Sequence, residues 1–153
     1  MMRLGKTAVK RLRTAYLMTR IWLIYARVVV LLGRRPLHQV VDILSGGPSH
    51  PPPLGHLQNL SLLVHKTLRI GSRSARCLPA ALVLLRLLRG RGYPAELVIG
   101  LGAAATNHIA HAWVEVDGQD VGPPPGQGNH LELARYPTPS IDPGRSSHQE
   151  SRE

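Results

Sequence analysis

The only sulfur nucleophile in this 153-residue chain is Cys77, in Ala75-Arg76-Cys77-Leu78-Pro79, and it is followed by an almost wholly apolar run to Leu88. Pro79 suits the first turn of a helix and Gly90 or Gly92 its end, which places Cys77 at a helix N-terminus. Unpaired N–H groups and the positive end of the helix dipole would stabilise a thiolate there, with Arg73 and Arg76 adding positive charge. Downstream, Ala110-His111-Ala112-Trp113-Val114-Glu115-Val116 has the composition of a strand, with His111, Trp113 and Glu115 on one face. A thiol on a helix and an imidazole on a sheet are the parts of a Cys-His acyl-transfer site. The imidazole takes the thiol proton, and the thiolate attacks a carbonyl to give an acyl-enzyme.

The elements that must hold these groups follow from local pattern. Ala95–Gly100 has strand character, Asp117-Gly118 is a hairpin turn signal, and Gln119–Gly122 would return as a third strand. Upstream, Leu57, Leu60, Val64 and Leu68 recur at three- and four-residue spacing, a helix in which His65 is expected to be partly exposed. Residues 45–56, rich in Pro and Gly, read as a linker. The polar stretch 137–153 reads as a disordered tail. The expected organisation is a basic helical segment over 1–44, the linker, a catalytic domain over 57–136 and the tail. The expected fold class is α+β, with the Cys-bearing helix packed on a small antiparallel sheet.

Composition narrows the function classes. Phe is absent and aromatic residues make up 4% of the chain, which argues against a base-stacking surface and hence against nucleic acid. One cysteine allows neither an internal disulfide nor a thiolate-rich zinc site, and a reducing, cytoplasmic setting is expected. His108 and His111, three apart on an extended chain, point to opposite faces, so no metal or other cofactor is expected.

The net charge of +10 is uneven. Residues 1–91 carry 16 Lys and Arg against the single acid Asp42, a balance of +15, whereas residues 92–153 carry three Arg against eight acids, a balance of −5. Within the first segment Lys6, Arg13, Arg20, Arg27 and Arg34 recur every seven residues and form one stripe on a helix. Tyr16, Leu17, Ile21, Trp22, Ile24, Tyr25 and Val28 offer a wide apolar surface beside it. That surface could cover the protein's own core, lie on a membrane surface or dock a partner. A spanning helix is disfavoured by Arg20 and Arg27, and no small-residue cleavage site follows the apolar run.

The blocks around Cys77, the run Arg89-Gly90-Arg91-Gly92-Tyr93-Pro94-Ala95-Glu96-Leu97-Val98-Ile99-Gly100, and Ala110 to Gly118 together resemble the B protein of lasso-peptide biosynthesis, in its free-standing leader-peptidase form. The resemblance covers about residues 57–136. It implies a transglutaminase-like, papain-like core and a cysteine peptidase that removes the leader from a ribosomally made precursor before macrolactam closure. It further implies Cys77 as nucleophile, His111 as general base, a small leader-binding protein that delivers the precursor, and an ATP-dependent cyclase that follows.

The chain departs from the family pattern at the third catalytic position, about twelve residues after the histidine, where an acid is expected and Pro123 stands. If Asp117-Gly118 is a two-residue turn, Asp120 pairs with Glu115, four residues or about 13 Å along the strand from His111. Gln127, Asn129 and Glu132 are the alternatives a loop could fold back, and a register shift would return Asp120 to the candidates. Two further readings stay open: another transglutaminase-like acyl transfer or amide hydrolysis, and a catalytically degenerate scaffold that binds the precursor.

Overall fold

The computed structural model describes residues 4–46, 57–71, 77–102, 110–122 and 130–138. Four helices precede a four-stranded antiparallel sheet: α1 (Leu4–Leu32), α2 (Leu37–Ile43), α3 (Leu57–Gly71), α4 (Cys77–Arg89), then β1 (Ala95–Gly102), β2 (Ala110–Val116), β3 (Gln119–Asp120) and β4 (His130–Tyr136). The strand order is β3-β2-β1-β4. The fold is α+β, as expected from the order of helical and strand patterns in the sequence. The expected linker beyond residue 46 and the expected disordered tail beyond 138 lie outside the described residues.

Helix α4 is the central element because it is apolar all round. Pro79 to Leu85, together with Leu87 and Leu88, are buried, and the helix packs against α1 and α3 on one side and β1 and β2 on the other. Its end is a Schellman motif. Gly92 takes φ 86°, Tyr93 N–H donates to the Leu88 carbonyl at 3.2 Å, and Gly92 N–H donates to that of Arg89 at 2.9 Å. A glycine there avoids the Cβ penalty of the left-handed region. The chain is thus turned straight into β1.

Buried Arg89 fixes that corner. Its Nε donates to the Ala95 carbonyl at 2.9 Å and Nη1 to Ser45 Oγ at 2.6 Å, while Nη2 reaches the Tyr136 and Pro137 carbonyls at 3.3 and 3.0 Å. One guanidinium therefore ties α4 to the chain after α2, the start of β1 and the end of β4. Burial pushes its pKa down, with Glu96 and Asp42 acting the other way.

The two faces of the sheet differ. Ala95 and Leu97 of β1 and Ala112, Val114 and Val116 of β2 join the helix-packed core. On the alternate positions Val98, Trp113 and Glu115 are buried, and the Trp113 ring lies across Gly100. Between β2 and β3, Asp117 at φ 51° and Gly118 at φ 74° form the expected two-residue turn, with the left-handed backbone of type I′.

The helical segment expected over 1–44 is made of two helices, the second of which, α2, buries Val40 and Val41. The last strand, β4, is unanticipated, and it pairs with β1 through a register shift at Ile99/Gly100.

Helix α1 meets the core through Ile21 and Val28, both fully buried. The stretch Arg11–Leu32 is long and apolar enough, by length and composition alone, to cross a membrane.

Candidate active site

Cys77 opens α4 and is half-buried. The pairing of β2 with β1 carries Ala110 and His111 to the end of the sheet beneath that helix start, and the Cys77 thiol donates to the Ala110 carbonyl across 3.8 Å. Cys77 and His111 line one small cleft with His65, Ala80, Ala112 and Trp113. Its enclosed volume is about 30 Å³, room for a water and not for a side chain. A peptide would therefore lie across the mouth rather than enter. A larger, mostly apolar cavity of about 270 Å³ between α1 and α3 shares no lining residue with this cleft.

The His111 imidazole is held by other rings. It stacks on Trp113 with centroids 6.1 Å apart and meets His130 of β4 at 5.0 Å. Burial is the main cause of a lowered His111 pKa, the charge of His130 lowers it further, and Asp120 raises it. The net direction keeps the ring neutral at pH 7, the state in which it can accept a proton.

The tryptophan is itself fixed. Its Nε1 donates to Glu115 at 2.8 Å, and the other oxygen of this buried carboxylate accepts from Arg135 of β4 at 2.7 Å. Arg135 also pairs with Glu96 and Glu132, each at 2.8 Å. Glu115 therefore anchors the indole. The indole in turn depends on Gly100, where a Cβ would lie 2.8 Å from the Leu131 carbonyl and 2.9 Å from the indole ring.

The candidates for the third catalytic position separate. Pro123, Gln127 and Asn129 lie outside the described residues, as do Arg73, Arg76 and His108. Glu132 is exposed, and both of its carboxylate oxygens bond to Arg135, which lowers its pKa. Asp120 pairs opposite Glu115 as the turn requires, and its Oδ1 accepts Gly122 N–H at 2.7 Å. Its charge nevertheless reaches His111.

Sequence pattern missed two residues at this site. His65 was expected merely to be partly exposed, yet it lines the cleft with Cys77, and burial, then Arg69 and His111, lowers its pKa. Its only sequence signal is its place beside buried Val64. His130 escaped notice because β4 did.

A known family model matches the chain. That model, the transglutaminase-like superfamily, matches residues 22–134. The chain belongs to this superfamily. Its members include cysteine peptidases and acyltransferases. No curated protein and no solved structure matches the chain. The superfamily match begins inside α1, so the region it covers includes Val28, Val40 and Val41 of the same core as α4.

Proposed function

We propose that this transglutaminase-like protein is a cysteine peptidase that removes the leader from a ribosomally synthesised lasso-peptide precursor in the cytoplasm, before macrolactam closure. The observation that carries the chemistry is the Cys77 thiol reaching the strand backbone next to His111, at the mouth of a shared cleft. The resemblance of the blocks around these residues to the lasso B protein carries the substrate class.

In this reading His111 accepts the Cys77 proton and the sulfur attacks the carbonyl at the end of the leader. The tetrahedral intermediate collapses as the imidazolium returns its proton to the leaving amine, which frees the N-terminus of the core peptide. Water activated by the same imidazole then cleaves the thioester. A small leader-binding protein delivers the precursor, and an ATP-dependent cyclase takes the released core. No cofactor enters any step.

The test is reconstitution with the short precursor and leader-binding protein encoded in neighbouring reading frames, followed by mass spectrometry. Cleavage at one bond, slowed by at least about 10³-fold in Cys77→Ala and in His111→Ala, supports the assignment. Undiminished processing by Cys77→Ala would make the protein a precursor-binding scaffold. An adduct of an added amine formed in preference to hydrolysis would make it a different acyl transferase of this superfamily.

A further inference from the structure

The side of α1 turned away from the core is apolar, and nothing described in the structure covers it. At about 100° per residue, Leu12, Leu23 and Val30 lie roughly opposite buried Ile21. These three are 73%, 67% and 51% exposed. Tyr16 and Trp22 edge the same surface at 69% and 40% exposure, so the bare apolar arc is about 120° wide. Arg13, Arg20 and Arg27, all exposed, run along one flank. Every ion pair among the described residues belongs to Arg135, so none neutralises this stripe. Burial lowers the pKa of Arg91, and the charge of Arg20 lowers it further.

We infer that this outer face of α1 docks on an anionic lipid surface. The helix would lie in the plane of the interface, with Leu12, Leu23 and Val30 inserted, Tyr16 and Trp22 at headgroup depth, and the arginines reaching lipid phosphates. The arc is broader than the narrow seam of a two-helix contact, which favours an apolar medium over a single partner helix. A second copy of the chain is the poorer occupant. Two antiparallel copies of α1 would bring the arginine stripes together, and in a parallel pair they would face Ala15, Trp22 and Val29, since Asp42 is the sole acid in residues 1–91. Ile21 and Val28 stay in the protein core, so α1 lies on the bilayer rather than across it.

The experiment is flotation of the full chain with vesicles of phosphatidylcholine, with and without phosphatidylglycerol. Flotation is expected only with the anionic lipid and is lost at high salt. Neutralising Arg13, Arg20 and Arg27 together to Gln weakens partitioning on the order of 100-fold, about fivefold per arginine. Leu23→Glu abolishes flotation while leaving the melting temperature unchanged, because that side chain points away from the core. Three outcomes overturn the inference: flotation indifferent to lipid charge, retention on membranes through alkaline carbonate, or a lipid-free dimer that Leu23→Glu dissociates.

Discussion

Gly100→Ala places one methyl group where the structure has least room. The new Cβ would sit 2.8 Å from the Leu131 carbonyl oxygen and 2.9 and 3.0 Å from two atoms of the Trp113 ring. Ordinary contact begins near 3.4 Å, so something must move by about half an ångström. The carbonyl belongs to β4, paired with β1, and cannot yield alone. The indole is bonded to Glu115, which Arg135 holds in turn, so it tilts only by straining that chain or by pressing on His111 and His130. Overpacking of this kind costs about 1–3 kcal/mol. For a chain of this length that lowers the melting temperature by roughly 2–12 °C. The matched control is Gly46→Ala, where a Cβ meets nothing within 4 Å and stability should stay within about 0.5 kcal/mol. Thermal unfolding by circular dichroism measures both variants, and peptide processing reports on the imidazole behind the indole. If Gly100→Ala melts with the wild type, the tight contact between indole and β1 is wrong, and so is its role in placing His111.

Three further substitutions probe separate parts of the chain. Arg89→Met removes the guanidinium bonds to the Ala95, Tyr136 and Pro137 carbonyls and to Ser45 Oγ at once and should destabilise by at least about 3 kcal/mol in urea titration; a loss under about 1 kcal/mol contradicts its role at the corner. Asp117→Asn should be neutral within about 0.5 kcal/mol, whereas Asp117→Val should cost about 1–2 kcal/mol, because φ 51° resists a β-branched side chain. Asp120→Asn should lower the His111 pKa further, and His130→Gln should raise it, since the two charges act in opposite directions. The proton-accepting form exists above that pKa, so the acid limb of the pH–rate profile moves down in the first variant and up in the second. A shift of both variants in one direction refutes the electrostatic account. Because folding lowers the pKa of both His65 and His111 from 6.5, the folded state binds fewer protons than the unfolded chain. Their stabilisation is complete above pH 6.5 and declines as the pH falls below it, which denaturant titration at pH 7.5 and 5.5 detects.

The parts legible in the sequence are those with local causes. Pro79 and the Gly90/Gly92 pair mark the ends of α4 through backbone geometry, and Asp117-Gly118 specifies its own turn. Helix α3 is visible in the spacing of Leu57, Leu60, Val64 and Leu68. What escaped depends on long-range contacts. Strand β4 presents Leu131 and Leu133 to solvent at 66% and 55% exposure, so its alternation does not follow burial. It is a strand because β1 offers a free edge and Arg135 finds three carboxylates there. With β4 unseen, His130 could not be placed beside His111. His65 reaches the cleft through the packing of α3 on α4, which no spacing along α3 encodes.

The charges around His111 constrain how the site can work. An imidazole that takes a thiol proton becomes a cation, and a carboxylate bonded to its far nitrogen is the usual means of favouring that cation. Here burial and His130 oppose the cation, and Asp120 favours it less strongly than burial opposes it. Ring contacts with Trp113 and His130 fix the orientation of the imidazole. Positioning and charge stabilisation, combined in one residue in a catalytic triad, are therefore divided between groups in this chain. In the proposed mechanism such a site would favour a neutral base that holds its proton briefly, so proton return to the leaving amine would be easy and proton abstraction from the thiol the costlier step. A leaving group of lower basicity would then give little gain in rate. A substrate or partner that brings negative charge to the cleft would give much more.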